Sequence, residues 1–274
     1  MPFCQFSGRP SASCLDTGMS LVHDIKVARN RKHVSSFLTL DIKGFFDHVD
    51  HDRMVHVLWE KDFPLNICRW VRSFLTNRSA SVRIDDFLSP IEGVAVGVPQ
   101  GSPASPVLAC MYSSSVMEYL YENPVYSSSS IPVCPRAYID DLGLHVASNS
   151  LHENVLILNF VLQCTIKALA RIGMSIDTDK CDLMHFSWRK GSDGKTDKQC
   201  SSPSLKTSIY GKKITITPPS SIQWLGFFLD QKLSWNHHVK VMMDWGLNVV
   251  NGLTCLGNTI RGLALGAEGV LPSG

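Results

Sequence analysis

Apolar residues recur along this chain at helical and at strand spacings, and the alternation between the two outlines its elements. Leu21, Val22, Ile25 and Ala28 predict a helix over 19–33, with Lys26, Arg29, Arg31 and Lys32 on its polar side. The Ser-, Gly- and Cys-rich stretch before it, Met1 to Gly18, predicts loop. Residues 35–42, SSFLTLDI, read as a buried strand. Asp50 is placed to cap a helix whose apolar face is Met54, Val55, Leu58 and Trp59. After Pro64, the positions Ile67, Trp70, Val71, Phe74 and Leu75 give a helical stripe, and Val82 and Ile84 alternate as a strand over 80–85.

GVPQGSP (97–103) predicts a loop, with a helix from about Ser105 to Glu122 and a serine- and proline-rich surface loop over 123–135. RAYIDDLGLHVA (136–147) reads as two short strands turning at Asp140-Asp141. Ser150 and Glu153 have capping-box spacing, and Gly173 stands where a C-terminal glycine belongs. Strands follow at 174–178 and 182–187, a polar flexible loop at 189–206, strands at 213–217 and 222–230, and a helix over 236–262. Interleaved strands and helices imply an α+β or α/β body. The hairpin and the adjacent late strands favour an antiparallel sheet with helices on one face.

Composition narrows this only a little. With 274 residues, 44% hydrophobic and 18% charged, the chain can bury a core, and disorder is not its default. A net charge of +2 and a pI near 8.1 neither require nor exclude a nucleic-acid partner, so any attraction for phosphate must come from a local groove. The nine cysteines are odd in number and contain no C-x-x-C pair. That speaks for reduced thiols over zinc ligands or a disulfide framework. No signal sequence opens the chain and no run of ~18 apolar residues is visible. The expectation is an intracellular protein, cytoplasmic or nuclear, with no membrane partner.

The candidate chemistry is acidic. Adjacent carboxylates at a turn repel one another unless a cation relieves them, and carboxylate oxygens suit Mg²⁺. Asp41 closes a separate strand that reads as buried, an expensive place for a free charge. If that strand neighbours the hairpin, Asp41, Asp140 and Asp141 converge and could hold two ions for phosphoryl transfer. On the residues alone a solvated hairpin turn remains the commoner alternative, and a metal-dependent nuclease could use the same carboxylates.

Order and surroundings add a resemblance. FLTLDIKGFFDHV, GVPQGSPASPVL and AYIDDLGLHV resemble three successive motifs of reverse transcriptases, and GMSIDTDK and IQWLGFFLDQKLSW resemble the next two. QFSGRP and NHHVKVMMDWGLNVVNGLT resemble non-LTR (LINE-type) retroelements, fungal ones above all. The resemblance runs from about Gln5 to Leu263. It implies a right-hand polymerase palm, an antiparallel sheet packed on helices with partial fingers and thumb. The implied division is a fingers remnant at 1–34, a palm at 35–230 with inserted finger elements at about 64–96, and a partial thumb at 231–274.

The resemblance also implies roles. Asp41, Asp140 and Asp141, with the carbonyl of Ile42, would hold two Mg²⁺ ions, with Mn²⁺ as a substitute. Phe46 would be the aromatic gate that excludes a ribose 2′-OH. Gln100, Gly101 and Tyr138 would line the nucleotide pocket, with Ser102 and Pro103 in structural roles. Lys180 would protonate the leaving pyrophosphate. Trp224, Leu225 and Gly226 would contact the primer end. The implied activity is RNA-directed DNA polymerisation on an RNA template and DNA primer with dNTPs. Phe45 departs from the small residue usual there and is expected to crowd the pocket. The chain is expected to be truncated at both ends, which keeps open the alternative of an inactive remnant that retains the palm.

Overall fold

The structure, a computed structural model, describes residues 4–122, 131–188 and 202–257. Its centre is β1 (Val34–Ile42), in which every position but Asp41 is buried, the pattern of a strand covered on both faces. β1 lies inside a four-stranded antiparallel sheet in the order β6 (Val133–Tyr138), β7 (Asp141–Ser148), β1, β8 (Ile176–Phe186). Side chains alternate across a strand, so the register divides the core in two. Leu38 and Leu40 pair with Leu144 and Leu142, and all four join the larger cluster. Phe37 faces the opposite way and joins Leu21, Ile25, Met184, Phe186, Ile222, Trp224 and Leu229.

The larger cluster packs against α4 (Ala104–Glu122) and α5 (Leu151–Arg171), with α2 (His51–Glu60) and α3 (Leu65–Leu75) beyond them. The smaller one lies under α1 (Cys14–Asn30) and a hairpin of β11 (Ser221–Trp224) and β12 (Phe227–Asp230). The expectation of helices on one face is therefore corrected: α1 covers the other. Short pairs complete the fold. β2 (Arg78–Ala80) pairs with β5 (Glu92–Val94), β3 (Arg83–Ile84) with β4 (Phe87–Leu88), and β9 (Leu205–Ile209) with β10 (Lys212–Ile216). α6 (Asn236–Gly257) follows β12.

Local chemistry explains the boundaries and the departures. α1 starts at Cys14, inside the expected loop, because Ser13 and Asp16 form a reciprocal capping box. Its Gly18 is a contact surface: a Cβ there would stand 2.6 Å from the Phe227 ring. Asp50 caps α2 as expected, accepting from Arg53 N–H at 2.8 Å. Val57 is buried there in place of Trp59, which is exposed. In α3 the buried face is Cys68, Val71 and Leu75; Ile67 and Trp70 turn outward, and Trp70 stacks on Phe74.

The strand expected at 80–85 is two short ones. Those expected at 174–178 and 182–187 are one continuous β8, with a register shift opposite Thr39–Asp41. The strand expected at 222–230 folds back on itself at Leu225-Gly226, both at positive φ, the geometry of a two-residue hairpin turn. Ser150 caps α5 through His152 N–H at 3.2 Å, a simple cap in place of the box. The loop expected at 123–135 gives way to β6 at Val133, and its residues 123–130 lie outside the described residues. So do 189–201 of the loop expected at 189–206, while Leu205 already belongs to β9. Among the described residues, α5 alone is long and apolar enough to cross a membrane; half of that stretch is buried here, as a core helix of this body.

Candidate active site

The end of β1 brings the acidic residues together. Asp41 pairs with Asp141 across the β1–β7 ladder and with Asp177 across the β1–β8 ladder, so three carboxylates stand in a row over three strands. Asp140 occupies the β6–β7 turn with Ile139, whose φ is 58°; Tyr138 and Asp141 close that turn as a pair. The sequence-predicted convergence of Asp41, Asp140 and Asp141 is thus present at the level of the strands. The three carboxylates are not drawn together to within 4.8 Å of one another. Asp177 is an addition, present in GMSIDTDK three residues before Lys180 and overlooked because only the lysine of that motif had a role to suggest it.

Charge at this edge is poorly compensated. Burial, and then the charges of Asp140 and Asp41, push the Asp141 carboxyl up to about 6. Burial and then Asp41 raise Asp140 also. Lys180 Nζ donates to Asp41 Oδ2 at 3.0 Å and reaches Asp177 Oδ2 at 3.9 Å. The bond and the charge of Asp41 raise the lysine in turn. At 64% side-chain exposure, however, Lys180 sits in water and offsets little of the repulsion. A cluster of oxygen donors whose ionisation the fold resists fits a hard divalent cation, which would stabilise the charged forms. Ile42, the last residue of β1, has its side chain in the larger core.

The GVPQGSP loop docks on the turn that follows β1. Val98 N–H donates to Phe46 O at 2.8 Å and Gly97 N–H to Val49 O at 2.8 Å. Gly97 has φ 83°, and a Cβ there would come to 3.0–3.1 Å from the backbone of Phe46 and Asp47, so the approach requires glycine. Its carbonyl accepts from Arg78 at 2.7 Å. Gln100 Nε2 donates to Asp47 Oδ1 at 3.1 Å, and Gly101 has φ 89° with open space around it. Phe46 is half-buried at the edge of the core. Phe45 meets it edge-on at 5.5 Å and is itself 2% exposed in the core, which corrects the expectation that it crowds a pocket.

Trp224, Leu225 and Gly226 lie apart from the aspartates in sequence yet are tied to them through the smaller core. Trp224 packs edge-on against Phe37 at 4.8 Å. Both rings use Gly143, two residues beyond Asp141: a Cβ there would overlap Phe37 and stand 3.0 Å from Trp224. Trp224 is buried and its Nε1 has no partner, so its indole is a packing element, with Leu225 half-buried and Gly226 exposed at the turn.

The N-terminal segment holds the aspartate turn from behind. Phe6 N–H donates to Ala137 O at 2.9 Å and Ala137 N–H to Cys4 O at 2.8 Å, extending the sheet beside β6. Ser7 Oγ accepts from Ile139 N–H at 3.0 Å, from Gln5 Nε2 at 2.7 Å, and lies 3.0 Å from Cys110 Sγ. Reading the residues missed this brace, because QFSGRP carries no periodicity that marks it as structured.

The sequence matches the family described as reverse transcriptase (RNA-dependent DNA polymerase) over residues 1–229. It is 28% identical over 200 residues to the RNA-directed DNA polymerase from mobile element jockey of Drosophila melanogaster, covering 73% of this chain and 20% of that protein. It is 26% identical over 239 residues to the probable RNA-directed DNA polymerase from transposon X-element of the same organism, covering 87% of this chain and 24% of that protein. The chain thus spans about a quarter or less of these curated relatives. One is named for a mobile element and the other for a transposon, and as Drosophila elements they lend no support to the expected likeness to fungal ones.

Among solved structures, the fold is similar to telomerase from Candida albicans in complex with a TWJ fragment of telomeric RNA, with TM-score 0.50 and 14% identity over 79% of this chain and 34% of that one. It is similar to apo telomerase from Candida tropicalis, with TM-score 0.50 and 12% identity over 80% of this chain and 35% of that one. These likenesses show the fold alone, that of a polymerase palm.

Proposed function

Since the chain belongs to the reverse transcriptase (RNA-dependent DNA polymerase) family, we propose that it adds deoxynucleotides to a DNA 3′-OH on an RNA template, as part of a non-LTR retrotransposon protein. The observation that carries this reading is the register that sets Asp41 opposite Asp141 beside the Asp140 turn. Asp41, Asp140 and Asp141, with the Ile42 carbonyl, would hold two Mg²⁺ ions, or Mn²⁺ in their place. The chemistry supplied at these residues would be activation of the attacking hydroxyl and neutralisation of the leaving phosphate.

The remaining roles belong to the chain's own groups. Phe46 presents a ring where a ribose 2′-OH would need space, so ribonucleotides are excluded by a clash. Gln100, Gly101 and Tyr138 line the nucleotide site; the Gln100 amide, already bonded to Asp47, has acceptor and donor capacity to spare. Lys180, exposed and held by Asp41, swings to protonate the pyrophosphate. Trp224, Leu225 and Gly226 present a rigid turn to the primer. In domain terms, residues 35–230 form the palm with inserted finger elements at about 64–96, flanked by fingers at 1–34 and thumb at 231–274.

Primer extension on an RNA template with Mg²⁺ and dNTPs tests this. The parental chain incorporates nucleotides, and Asp140→Asn reduces the rate by at least about 10²–10³-fold, the scale of losing a principal electrostatic stabiliser. Extension by Asp140→Asn at the parental rate overturns the site. Absence of incorporation above an Asp41→Ala control overturns the activity, and leaves a palm without turnover.

A further inference from the structure

The face of the sheet that carries α1 holds a second donor cluster, away from the aspartate turn. Cys134 of β6 and His145 of β7 are direct cross-strand partners, so their side chains lie on one face, next to each other. Asp24 projects onto them from α1. A carboxylate oxygen of Asp24, the Cys134 sulfur and an imidazole nitrogen of His145 all lie within 4.8 Å of one another, the one such trio of His, Cys, Asp or Glu among the described residues. The three line a cavity of about 360 Å³, together with His33 and Arg31.

His145 gives the independent sign that this cluster receives something. It is 4% exposed, and its Nε2 is buried with no hydrogen-bond partner. Leaving such a group unpaired costs about 1–3 kcal/mol, which a bound ion at this nitrogen would offset. Burial, and then Arg136, hold its pKa down to about 3, so the imidazole is neutral with a lone pair to offer.

We propose that Asp24, Cys134 and His145 bind one divalent transition ion of the zinc type, with the fourth position open to the cavity. The donor set selects the ion: thiolate and imidazole suit Zn²⁺ and disfavour Mg²⁺ and Ca²⁺, which take oxygen ligands. Arg136 is the competitor, since it pairs with Asp24 Oδ2 and donates to Cys134 O at 3.2 Å. The carboxylate has a second oxygen, and the two anionic ligands match the charge of the divalent ion, so Asp24 need not give up its pair with Arg136. On binding, the Cys134 S–H bond breaks, its electron pair goes to the metal, and the proton leaves to solvent, so affinity rises with pH. The expectation drawn from the missing C-x-x-C pair is reversed by topology: the three ligands come from three elements 11 or more positions apart. The ion would clamp α1 to the hairpin that carries Asp140, independently of the polymerase reading.

Titration of the reduced chain with Co²⁺, in the presence of Mg²⁺, tests this. One Co²⁺ binds per chain with a near-ultraviolet thiolate-to-cobalt charge-transfer band, Zn²⁺ displaces it, and Zn²⁺ raises the Tm. Cys134→Ala, a small change at a half-buried position, removes the band and weakens Zn²⁺ by at least about 10–100-fold. His145→Gln weakens it in the same direction. Cys14→Ala, at an exposed thiol, leaves the band intact, and so does Asp140→Asn. Absence of the band from the parental chain, its survival in Cys134→Ala, or its loss in Asp140→Asn overturns the proposal.

Discussion

Asp41 pairs with Asp141 across the β1–β7 ladder, so two carboxylates share the end of one strand pair, with the exposed Lys180 bonded to Asp41. Stability must therefore depend on pH. The Asp141 carboxyl stands near 6 in the folded chain against an ordinary value of 3.8. Between those values the folded state keeps a proton that the unfolded state has released. Stability is thus highest below about pH 4 on this account, falls as pH rises to about 6, and levels off above. The full effect is on the order of 2–3 kcal/mol, less whatever solvent screens. Urea unfolding at stepped pH checks it: Asp141→Asn removes this slope, and saturating Mg²⁺ flattens it in the parental chain.

Phe46 is the proposed discriminator between the two sugars. Phe46→Ala should lower the preference for dNTPs over rNTPs by about 10–200-fold, the range over which pocket fit discriminates small groups. Single-nucleotide incorporation kinetics check this, with kcat/KM for dNTP changing far less than that for rNTP. Unchanged discrimination removes Phe46 from the role.

Gly143 has no room for a methyl group between Phe37 and Trp224. Gly143→Ala should destabilise the fold by about 1–3 kcal/mol through overpacking. Phe37→Leu should recover part of that loss, so a double-mutant cycle of unfolding free energies reads a coupling between the two positions. Strict additivity would count against the packing account.

Ser7 supplies the acceptor for Ile139 N–H at the aspartate turn. Ser7→Ala leaves that donor unpaired, at about 1–3 kcal/mol. Hydrogen exchange at the Ile139 amide should quicken by more than the average of the sheet amides. Equal acceleration everywhere would mean that only global stability had changed.

The parts of this fold that were legible in the sequence are those whose signals are local. β1, α2, α4 and the Asp140 hairpin follow from short apolar runs, an N-cap aspartate and a turn. The parts misread are those decided by tertiary contact. Thr17 and Gly18 read as loop, but both are buried, and Gly18 is small so that Phe227 can pack on it. Trp70 read as core, yet it lies exposed on α3, stacked on Phe74, which is half-buried against the larger core. β8 read as two strands because Asp179 and Lys180 are polar; the structure carries the strand through them beside the acidic edge. The turn at Leu225-Gly226 escaped because leucine rarely takes positive φ. For the candidate site, Asp41, Asp140 and Asp141 were legible from motif order. Asp177 and Ser7 depend on which strands become neighbours, which no single segment records.

A reverse transcriptase sequence can keep its acidic motifs and still lose the packing that presents them, and the seat of Trp224 shows how. A descendant that exchanged Gly143 for any larger residue would still spell out every carboxylate and would pass for intact in a search for acidic motifs. It would nonetheless have pushed Phe37 and Trp224 apart, and with them the hairpin from the strand that bears Asp141. For judging whether such a sequence can still present its site, a side chain that must be absent is as informative as the acids that must be present.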